Sequence, residues 1–551
     1  MLRAHRAVDD TAGASPTKEW AESLPRWQIR APLRDIVVAE LVAAGLMVAA
    51  AAIAPWWALV VIGVLALMVT VVHYKGAHAA MWTQRWWRMW RGQRSPARHR
   101  AHTELPEPFT VELAGMAPVG VAWDGQYAVT MIALHGRPWS PSILVPSGLD
   151  TVDVVPTEIA ADLMHQFGGL ELHNVDVVSV GRRTSANGRY TPKYDEIIGD
   201  RPAVGLMRVW LVLRLCPQTC MEAIAYRGDV ARAVAAATER MRQAVLRQGC
   251  RATLCTAAQM KLATTTLLAG NEQLEPVREH WTHLDLGKNF VTSYRIAGED
   301  LSTDLLSDIW TVRSQATATL VRVAPGPDGQ PTVGALVRFH APHPFTEPPL
   351  LALKTAPGEQ LSALMATLPL GNRSMDFELS RRDLHHSRLV IPASSSGYVV
   401  GMTNGFPMLM SLTDPLRFTK VAIDADIAVV QQQLLRASAT GATVQVHTRR
   451  PHLWEPICGD RITLATNTSP PVTPTVVVLD GDDIDTVTGG ERGRAVVTIG
   501  TAIGRDNDIV IEQRSTTEMT LTTPQLNGVT LTIMWPRNET AFLAHLRRAR
   551  R

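Results

Sequence analysis

The sequence predicts an N-terminal hairpin of two transmembrane helices, followed by a cytoplasmic mixed α/β region that becomes β-rich towards the C-terminus. Three observations support this fold class: two long apolar runs, an alternation of strand and helix patterns after them, and a succession of short apolar strands at the end. The predicted segments are a cytoplasmic tail (1–35), the hairpin (36–72, with spans 36–54 and 56–72), a basic aromatic juxtamembrane helix and linker (73–110), a first α/β lobe (111–345), a second α/β lobe (346–470) and a β-rich region (471–551).

The composition separates the first ninety residues from the rest of the chain. Hydrophobic residues make up 46% of the 551 residues and charged residues 19%, which is below the usual fraction of about 25%. A net charge of +3 indicates that the chain as a whole is not built to bind a polyanion. Eight of the fifteen tryptophans precede residue 91.

The cysteines indicate a reducing compartment rather than a disulfide-bonded scaffold. Their number is five, which is sparse and odd. The spacings C-x3-C and C-x4-C are wider than the C-x2-C pairs typical of zinc sites, and no suitable histidine pair accompanies them. Buried free thiols are therefore expected, with a structural metal as the alternative. The cysteines are Cys216, Cys220, Cys250, Cys255 and Cys458.

The two apolar runs have the lengths of membrane-spanning helices. At 1.5 Å per residue they extend roughly 28 and 25 Å, close to the hydrocarbon thickness of about 30 Å. Pro55 separates them and breaks the helix, and Trp56 and Trp57 are predicted to anchor the turn at the far interface. A signal peptide or a buried helical hairpin is the alternative. Glu40, the acid inside a span, is interpreted as an interfacial residue near Arg34.

The distribution of basic residues predicts the orientation of this hairpin. Three arginines lie within ten residues before the first span, a lysine and six arginines lie in residues 75–100 after the second, and the connecting turn has no basic residue. Both termini are therefore expected on the cytoplasmic side of the plasma membrane. The basic residues are Arg26, Arg30, Arg34, Lys75, Arg85, Arg88, Arg91, Arg94, Arg98 and Arg100.

The stretch MWTQRWWRMWRGQR, residues 81–94, predicts a basic amphipathic helix at the membrane surface. At 100° per residue one face carries tryptophans and the broadly opposite face carries arginines. Such a helix places aromatic rings at headgroup depth and guanidinium groups near anionic lipid. The aromatic face could instead dock on a partner's membrane helices, whereas nucleic-acid stacking is not expected after an apolar hairpin. The predicted interface residues are Trp82, Arg85, Trp86, Arg88, Trp90 and Arg91.

Strand and helix patterns alternate from about residue 111. Residues 119–134 form two apolar runs around Trp123-Asp124-Gly125, which predicts a β-hairpin. Residues 157–167 predict a short helix, and residues 229–249 predict a long helix that begins at Asp229 and ends at Gly249.

The region from about residue 344 repeats this mixed pattern and then becomes rich in strands. The segments GEQLSALMATL and DADIAVVQQQLLRASATG predict helices, and GYVVGMTNGFPMLMSL predicts a strand, a turn and a strand. Five apolar stretches over the last hundred residues predict further strands, including VVVLD before Gly481.

Candidate chemistry is sparse. Asp480 and Asp482 form a D-x-D pair after an apolar strand, which could hold Mg²⁺ or Mn²⁺ against a nucleotide diphosphate. The alternative is an acidic turn that leaves a buried strand. The serines of PASSSG do not form a G-x-S-x-G elbow, and adjacent His385 and His386 cannot ligate one metal from one helix face. Walker A, G-x-G-x-x-G and H-E-x-x-H motifs are absent from the sequence.

In combination, several segments resemble the EccE family, a component of the type VII (ESX) secretion machinery of mycobacteria and their relatives. The resemblance covers most of the chain. It is carried by the N-terminal apolar hairpin with its basic continuation, the helix over 229–249, and the segments GVAWDGQYAVTMIAL, WLVLRLCP, VREHWTHL, TLVRVAPG and LVIPASSSGYVVGMTNGFPML.

The resemblance implies a membrane-anchored cytosolic region of loosely glycosyltransferase-like fold, with EccB, EccC and EccD as partners and EccC as the ATPase. We therefore expect a non-enzymatic structural subunit without a cofactor, which supports assembly or stability of the secretion complex in contact with membrane lipid. The alternative is a membrane-anchored transferase that uses a nucleotide-activated sugar and a metal held by Asp480 and Asp482.

Overall fold

The structure is a computed structural model in which two compact units, Met1–Arg91 and Gly92–Arg551, are distinguished. It describes residues 103–548 except 147, 187, 226, 272–273, 275–276, 385–388, 466–472, 482–489 and 501–505. Before residue 103 it describes 27–29, 44–45, 57, 61, 72–74, 77–78, 82–83, 85–87 and 89–90.

The described part of the first unit contains a small antiparallel sheet and helical residues. Strands β1 (Trp27–Ile29), β2 (Val72–Tyr74) and β3 (Ala77–His78) pair in that order. In this sheet Ile29 lies opposite Val72. The helical residues are 44–45, 57, 61, 82–83, 85–87 and 89–90.

The predicted fold class, with its N-terminal transmembrane hairpin, is wrong. Among the described residues, no helix has the length and apolar character needed to cross a membrane. Val72, predicted as the last residue of the second span, instead pairs through its backbone with Ile29 in a strand. Continuous apolarity alone does not distinguish a lipid-facing helix from segments whose branched residues favour strands. Most of the two predicted spans, 36–54 and 56–72, lies outside the described residues.

The second unit is β-rich throughout its described length rather than only at its C-terminus. Its strands are β4 (Phe109–Val111), β5 (Val119–Asp124), β6 (Tyr127–His135), β7 (Ser142–Val145), β8 (Gly148–Asp150), β9 (His165–Gln166), β10 (Leu170–Glu171), β11 (Asn174–Arg182), β12 (Leu206–Leu215), β13 (Arg251–Leu254), β14 (Arg278–Glu279), β15 (Leu284–Asp285), β16 (Phe290–Ile296), β17 (Ala316–Pro325), β18 (Pro331–Ala341), β19 (Leu353–Thr355), β20 (Arg381–Asp383), β21 (Tyr398–Thr403), β22 (Phe406–Met410), β23 (Thr419–Asp424), β24 (Val444–Thr448), β25 (Ile462–Leu464), β26 (Val476–Asp480), β27 (Ala495–Ile499), β28 (Ile509–Gln513), β29 (Glu518–Thr523) and β30 (Leu526–Thr532).

The helices of this unit are mostly short. They are α1 (Thr157–Asp162), α2 (Thr191–Ile198), α3 (Met221–Ala225), α4 (Val230–Arg247), α5 (Ala257–Leu267), α6 (Thr303–Asp308), α7 (Gln360–Ala366), α8 (Asn372–Met375), α9 (Ile427–Ala439), α10 (Pro451–Trp454) and α11 (Arg537–Arg548).

The first large sheet is antiparallel and has 13 described strands. Its order is β14-β15-β16-β18-β17-β11-β12-β6-β5-β4, with β13 beside β6, β19 beside β16 and β20 beside β18. The central strands are buried along nearly their whole length. One hydrophobic cluster joins this sheet to α4, and another joins it to α5 and α7. The central strands have near-continuous apolar sequences because both faces of the sheet are covered.

The second large sheet has 12 described strands and is mixed. Its order is β25-β24-β26-β27-β23-β28-β29-β30-β21-β22-β7-β8, and its first six strands run parallel. Helix α9 connects β23 to β24, as expected for parallel strands that need a crossover. Residues 136–141 carry the chain from β6 in the first sheet to β7 in the second.

Several element predictions are confirmed. The hairpin over 119–134 appears as β5 and β6, with Gly125 at φ +62° in the turn. Helix α4 begins after Asp229, whose carboxylate accepts a hydrogen bond of 2.9 Å from the Ala231 amide. The helix predicted over 157–167 is shorter, because the chain turns after Asp162 and enters β9. Helices α2 and α11 were not predicted.

Candidate functional site

Asp480 stabilises the fold instead of offering an open metal ligand. It lies at the carboxyl end of β26 and is buried. Its Oδ2 accepts hydrogen bonds from the Thr448 hydroxyl at 2.6 Å and the Trp454 indole at 2.7 Å, and its Oδ1 pairs with Arg450. Burial alone would raise the pKa of Asp480, but these donors outweigh it and lower the pKa. Asp482 lies outside the described residues.

The cysteine, serine and histidine candidates show no sign of a catalytic or metal site among the described residues. All five cysteines are free thiols. Ser396 exchanges two hydrogen bonds of 2.9 Å with the backbone of Val204, which is 192 residues away in the sequence. His385 and His386 lie outside the described residues. Within the described part of the chain, no group of three or more His, Cys, Asp or Glu side chains is placed to hold a metal ion.

The aromatic and basic stretch is helical at its described residues, as predicted. The rings of Trp86 and Trp90 are stacked, with their centroids 6.0 Å apart. This contact fits their shared face at helical spacing. Trp86 is 51% exposed and Trp87 47% exposed, whereas Trp82 and Arg85 are partly buried. Arg88 and Arg91 lie outside the described residues, as does Trp56, while Trp57 is helical and exposed.

A buried charge cluster at the centre of the first sheet was not predicted. Asp176 on β11 accepts hydrogen bonds from Arg322 on β17 and pairs with Arg214 on β12. The Ser374 hydroxyl oxygen accepts a hydrogen bond from each guanidinium, at 2.9 and 2.8 Å. Burial would raise the pKa of Asp176, but the two guanidinium groups lower it. The cluster therefore ties three strands to the segment that carries α8.

A second buried pair fastens helix α11 to helix α9. The carboxylate of Glu539 accepts hydrogen bonds from Arg436 at 3.0 and 2.7 Å and from Gln432 at 2.7 Å. The Tyr190 hydroxyl donates to the same carboxylate. Arg436 also donates to the backbone oxygens of Val399 and Met534. Both charged side chains are completely buried, so this contact acts as part of the core.

A cleft of about 320 Å³ opens where the chain passes from the first sheet to the second, and we call it the inter-sheet cleft. Its walls come from the end of β6 and the loop after it, the start of β12, strand β13, helix α5 and two loops near residues 394 and 414. Gly136 is required in this wall, because a Cβ there would lie 2.2 Å from the Ser394 hydroxyl and 2.5 Å from an Asp153 oxygen.

One wall of the inter-sheet cleft is held by a locked ion pair. Arg251 donates two hydrogen bonds of 2.9 and 3.0 Å to Asp414 and a third of 2.7 Å to the backbone oxygen of Gly136. His135 shares a hydrogen bond of 3.0 Å with the Thr253 hydroxyl. Burial, with a smaller contribution from Arg251, lowers the pKa of His135 to about 4. The imidazole is therefore neutral at physiological pH.

Asp153 and Trp139 complete the cleft's fixed framework. Burial raises the pKa of Asp153, although the Arg137 backbone amide donates a hydrogen bond of 2.9 Å to it. Trp139 has a left-handed backbone with φ +53°, and its indole donates to the Thr419 hydroxyl at 3.3 Å. Such a conformation in a bulky residue is strained and persists only where the surroundings impose it. The segment HGRPW, residues 135–139, lines the cleft, and its combination of Gly, Pro and Trp after an apolar strand is the feature of the sequence that could have indicated this site.

The described geometry defines a two-sheet α/β protein in which buried charge clusters hold the fold together. Comparison with known sequences finds similarity to one family. A profile of the family described as "Putative type VII ESX secretion system translocon, EccE" matches residues 203–296. This segment contains β12, β13 and α5, which supply much of the inter-sheet cleft.

Individual relatives extend the similarity beyond this segment. The ESX-5 secretion system protein EccE5 of Mycobacterium marinum is 28% identical over 355 residues, which cover 62% of this chain and 86% of the relative. The ESX-2 protein EccE2 of Mycobacterium tuberculosis is 28% identical over 66% of each chain. The ESX-1 protein EccE1 of Mycolicibacterium smegmatis is 27% identical over 70% of this chain and 76% of the relative. The predicted resemblance is confirmed, and the chain is a relative of the EccE proteins.

Proposed function

We propose that the protein is a structural, non-enzymatic subunit of a type VII (ESX) secretion complex, and that it supports assembly or stability of the export machinery. The similarity to EccE proteins of three ESX systems over most of the chain carries this proposal. The alternative function, a nucleotide-sugar transferase, has no support from these relatives, whose names describe secretion system proteins.

The arrangement of the charged residues supports a structural role. Asp480, the described member of the acidic pair, has both carboxylate oxygens occupied by Thr448, Trp454 and Arg450. In the clusters around Asp176 and Glu539, the charged groups likewise form ion pairs that join strands or helices to each other. Buried charges arranged in this way fix one packing of the chain, which suits a protein that presents surfaces to partners.

The proposed partners are EccB-, EccC- and EccD-type subunits, and the proposed location is at the plasma membrane in association with them. The contact would be made through the aromatic and basic stretch, in which Trp86 and Trp87 are exposed at adjacent helical positions. Exposed tryptophan and arginine side chains are typical of the energetically dominant part of protein interfaces. The residues assigned to this interface are Trp82, Arg85, Trp86, Arg88, Trp90 and Arg91.

Co-purification tests the proposal. The full chain is expressed together with EccB-, EccC- and EccD-type subunits of one system, extracted in mild detergent and separated by size. It should migrate with its partners in a complex far larger than its own 60.2 kDa. Migration as a monomer, while the other subunits remain assembled, would contradict the proposal.

A matched pair of variants tests the proposed interface. Trp86→Ser combined with Trp87→Ser should reduce co-purification, because it removes two exposed rings from the stretch. Trp123→Ser removes another exposed ring, from strand β5, and should leave assembly intact. Loss of membrane association with retained co-purification would instead assign the two rings to lipid.

A further inference from the structure

The charges of the inter-sheet cleft divide into two groups. Arg251 is already held in an ion pair, because each of its three guanidinium nitrogens donates one hydrogen bond, two to Asp414 and one to the backbone oxygen of Gly136. Arg137 and Arg208 also line the cleft, but both are exposed and neither forms an ion pair with any described residue. The contact of Arg208 with the Thr266 hydroxyl is 3.5 Å, at the limit for a hydrogen bond. The positive charge of Arg137 partly offsets the raised pKa of Asp153, but neither guanidinium group is held in an ion pair with a described residue, and both are exposed to a ligand.

The balance of charge in the cleft favours an anion. Its lining contains three arginines and two aspartates, and the imidazole of His135 is neutral because of burial. The net charge of the lining is accordingly +1. Guanidinium groups offer forked pairs of N–H donors that match the geometry of a carboxylate.

An apolar surface lies beside these cations. Trp210 and Leu262 line the same cleft, and Leu262 is 57% exposed although it is a large aliphatic side chain. A volume of about 320 Å³ is at the lower end of the range for ligand cavities, about 300–1,000 Å³. The space thus fits a compact apolar body that carries one anionic group.

The cleft has fixed contacts in its walls before any ligand binds. The Arg251–Asp414 ion pair fixes β13 to the loop near residue 414, and Asp414 also accepts from the Leu416 amide at 2.9 Å. The left-handed Trp139 is held by the hydroxyl of Thr419 on β23. A preformed cleft binds with a smaller loss of conformational entropy than one that must be ordered by its ligand.

We propose that the inter-sheet cleft binds a carboxylate carried on a compact apolar group, with Arg137 and Arg208 pairing the carboxylate and Leu262 contacting the apolar part. Such a group could belong to an acidic peptide segment or to a free small organic acid. This binding goes beyond the structural role and does not depend on it.

Ligand-detected NMR on the full chain tests the proposal with two matched pairs of probes. One pair is 3-phenylpropionate and 3-phenylpropanamide. The other is the capped peptide acetyl-Gly-Phe-Glu-Gly-amide and its Gln counterpart. At least one acid should bind about tenfold more tightly than its amide, which is the size expected for a charge-assisted contact. Preference for the peptide acid alone, or for the free acid alone, identifies the source of the carboxylate.

Substitutions locate the binding. Arg137→Gln combined with Arg208→Gln should abolish the preference for the acid, and Arg208→Lys should retain part of it because the charge remains. Arg232→Gln combined with Arg247→Gln, two exposed positions on α4, provides the charge-matched control and should bind as the wild type does. Equal affinity for acids and amides in the wild type, or an acid preference that survives in the first double variant, would overturn the proposal. Circular dichroism of each variant verifies that the fold is retained.

Discussion

Asp176 and Arg322 lie directly opposite each other on β11 and β17, and two hydrogen bonds of 2.8 Å join them in a forked pair. Arg214 approaches the same carboxylate from β12 on the other side. One buried negative charge thus serves two buried positive charges. The fold therefore depends strongly on this carboxylate, because without it both guanidinium groups would be buried without a counter-ion.

Asp176→Asn should therefore destabilise the protein strongly. Removal of one partner from a buried ion pair costs about 3–5 kcal/mol, chiefly through the uncompensated charge that remains. Urea unfolding followed by circular dichroism measures the loss. Lys193→Gln, which breaks an exposed ion pair with Glu196, serves as the control and should change stability by less than about 0.5 kcal/mol. Equal stability of the Asn variant and the wild type would show that the cluster does not stabilise the fold.

Glu539→Gln should loosen helix α11 before the rest of the protein unfolds. The substitution leaves Arg436 buried without its carboxylate and places an amide among three donors. Hydrogen exchange measured by mass spectrometry should increase in residues 537–544 and much less in β11 and β12. Asn538→Ala, which removes an exposed hydrogen bond of 2.7 Å to Glu196, should leave this exchange nearly unchanged.

His135 should make the protein less stable in acid. Its pKa is about 4 when folded and about 6.5 when unfolded, so between these values only the unfolded state takes up the proton. Stability is therefore lost as the pH falls, by about 2 kcal/mol between pH 7.5 and 5 for this residue. His135→Gln should reduce the acid-induced loss by that amount in urea unfolding at the two pH values. The same change at exposed His452 provides the control, and identical pH dependence of all three proteins would contradict the assignment.

Asp480→Asn should lower the stability of the protein, and Mn²⁺ should affect the stability of neither the variant nor the wild type. The carboxylate joins β24, β26 and α10 through Thr448, Trp454 and Arg450, so loss of its charge should cost about 1–3 kcal/mol. Addition of Mn²⁺ should leave the melting temperature of the wild type unchanged, because the carboxylate oxygens are already occupied. A rise in melting temperature with Mn²⁺ that disappears in the Asn variant would contradict this prediction and support a metal site at Asp480.

The sequence was informative where local signals decide the structure. Helix α4 was predicted because Asp229 caps it and its apolar residues recur at helical spacing. The hairpin of β5 and β6 was predicted because Asp124-Gly125 supplies a turn between apolar runs. In both cases the determining residues are close together in the chain.

The buried charge clusters could not be predicted because their residues are far apart in the chain. Asp176 meets Arg214 and Arg322, which are 38 and 146 residues away. Each of these residues lies in an apolar strand whose pattern gives no sign of its partner. The inter-sheet cleft is similarly assembled from distant segments. The prediction of a membrane hairpin was wrong because the length and apolar character of a segment, even with flanking tryptophan and basic residues, do not exclude pairing in a strand, and Val72 lies in a strand paired with Ile29.

The sheet order has a consequence for the synthesis of the protein. Strand β7 emerges early from the ribosome, but β22, one of its two neighbours in the second sheet, is made far later. Glu539, which closes the core of that sheet, is added later still. Strand β7 therefore has only β8 as its partner in this sheet until β22 has been synthesised, and the described strands of the sheet are complete only once β30 has been made. Contacts between segments this distant along the chain form slowly, and unpaired strand edges favour aggregation in the meantime, so we expect the second sheet to be the part of the protein most prone to aggregate during folding.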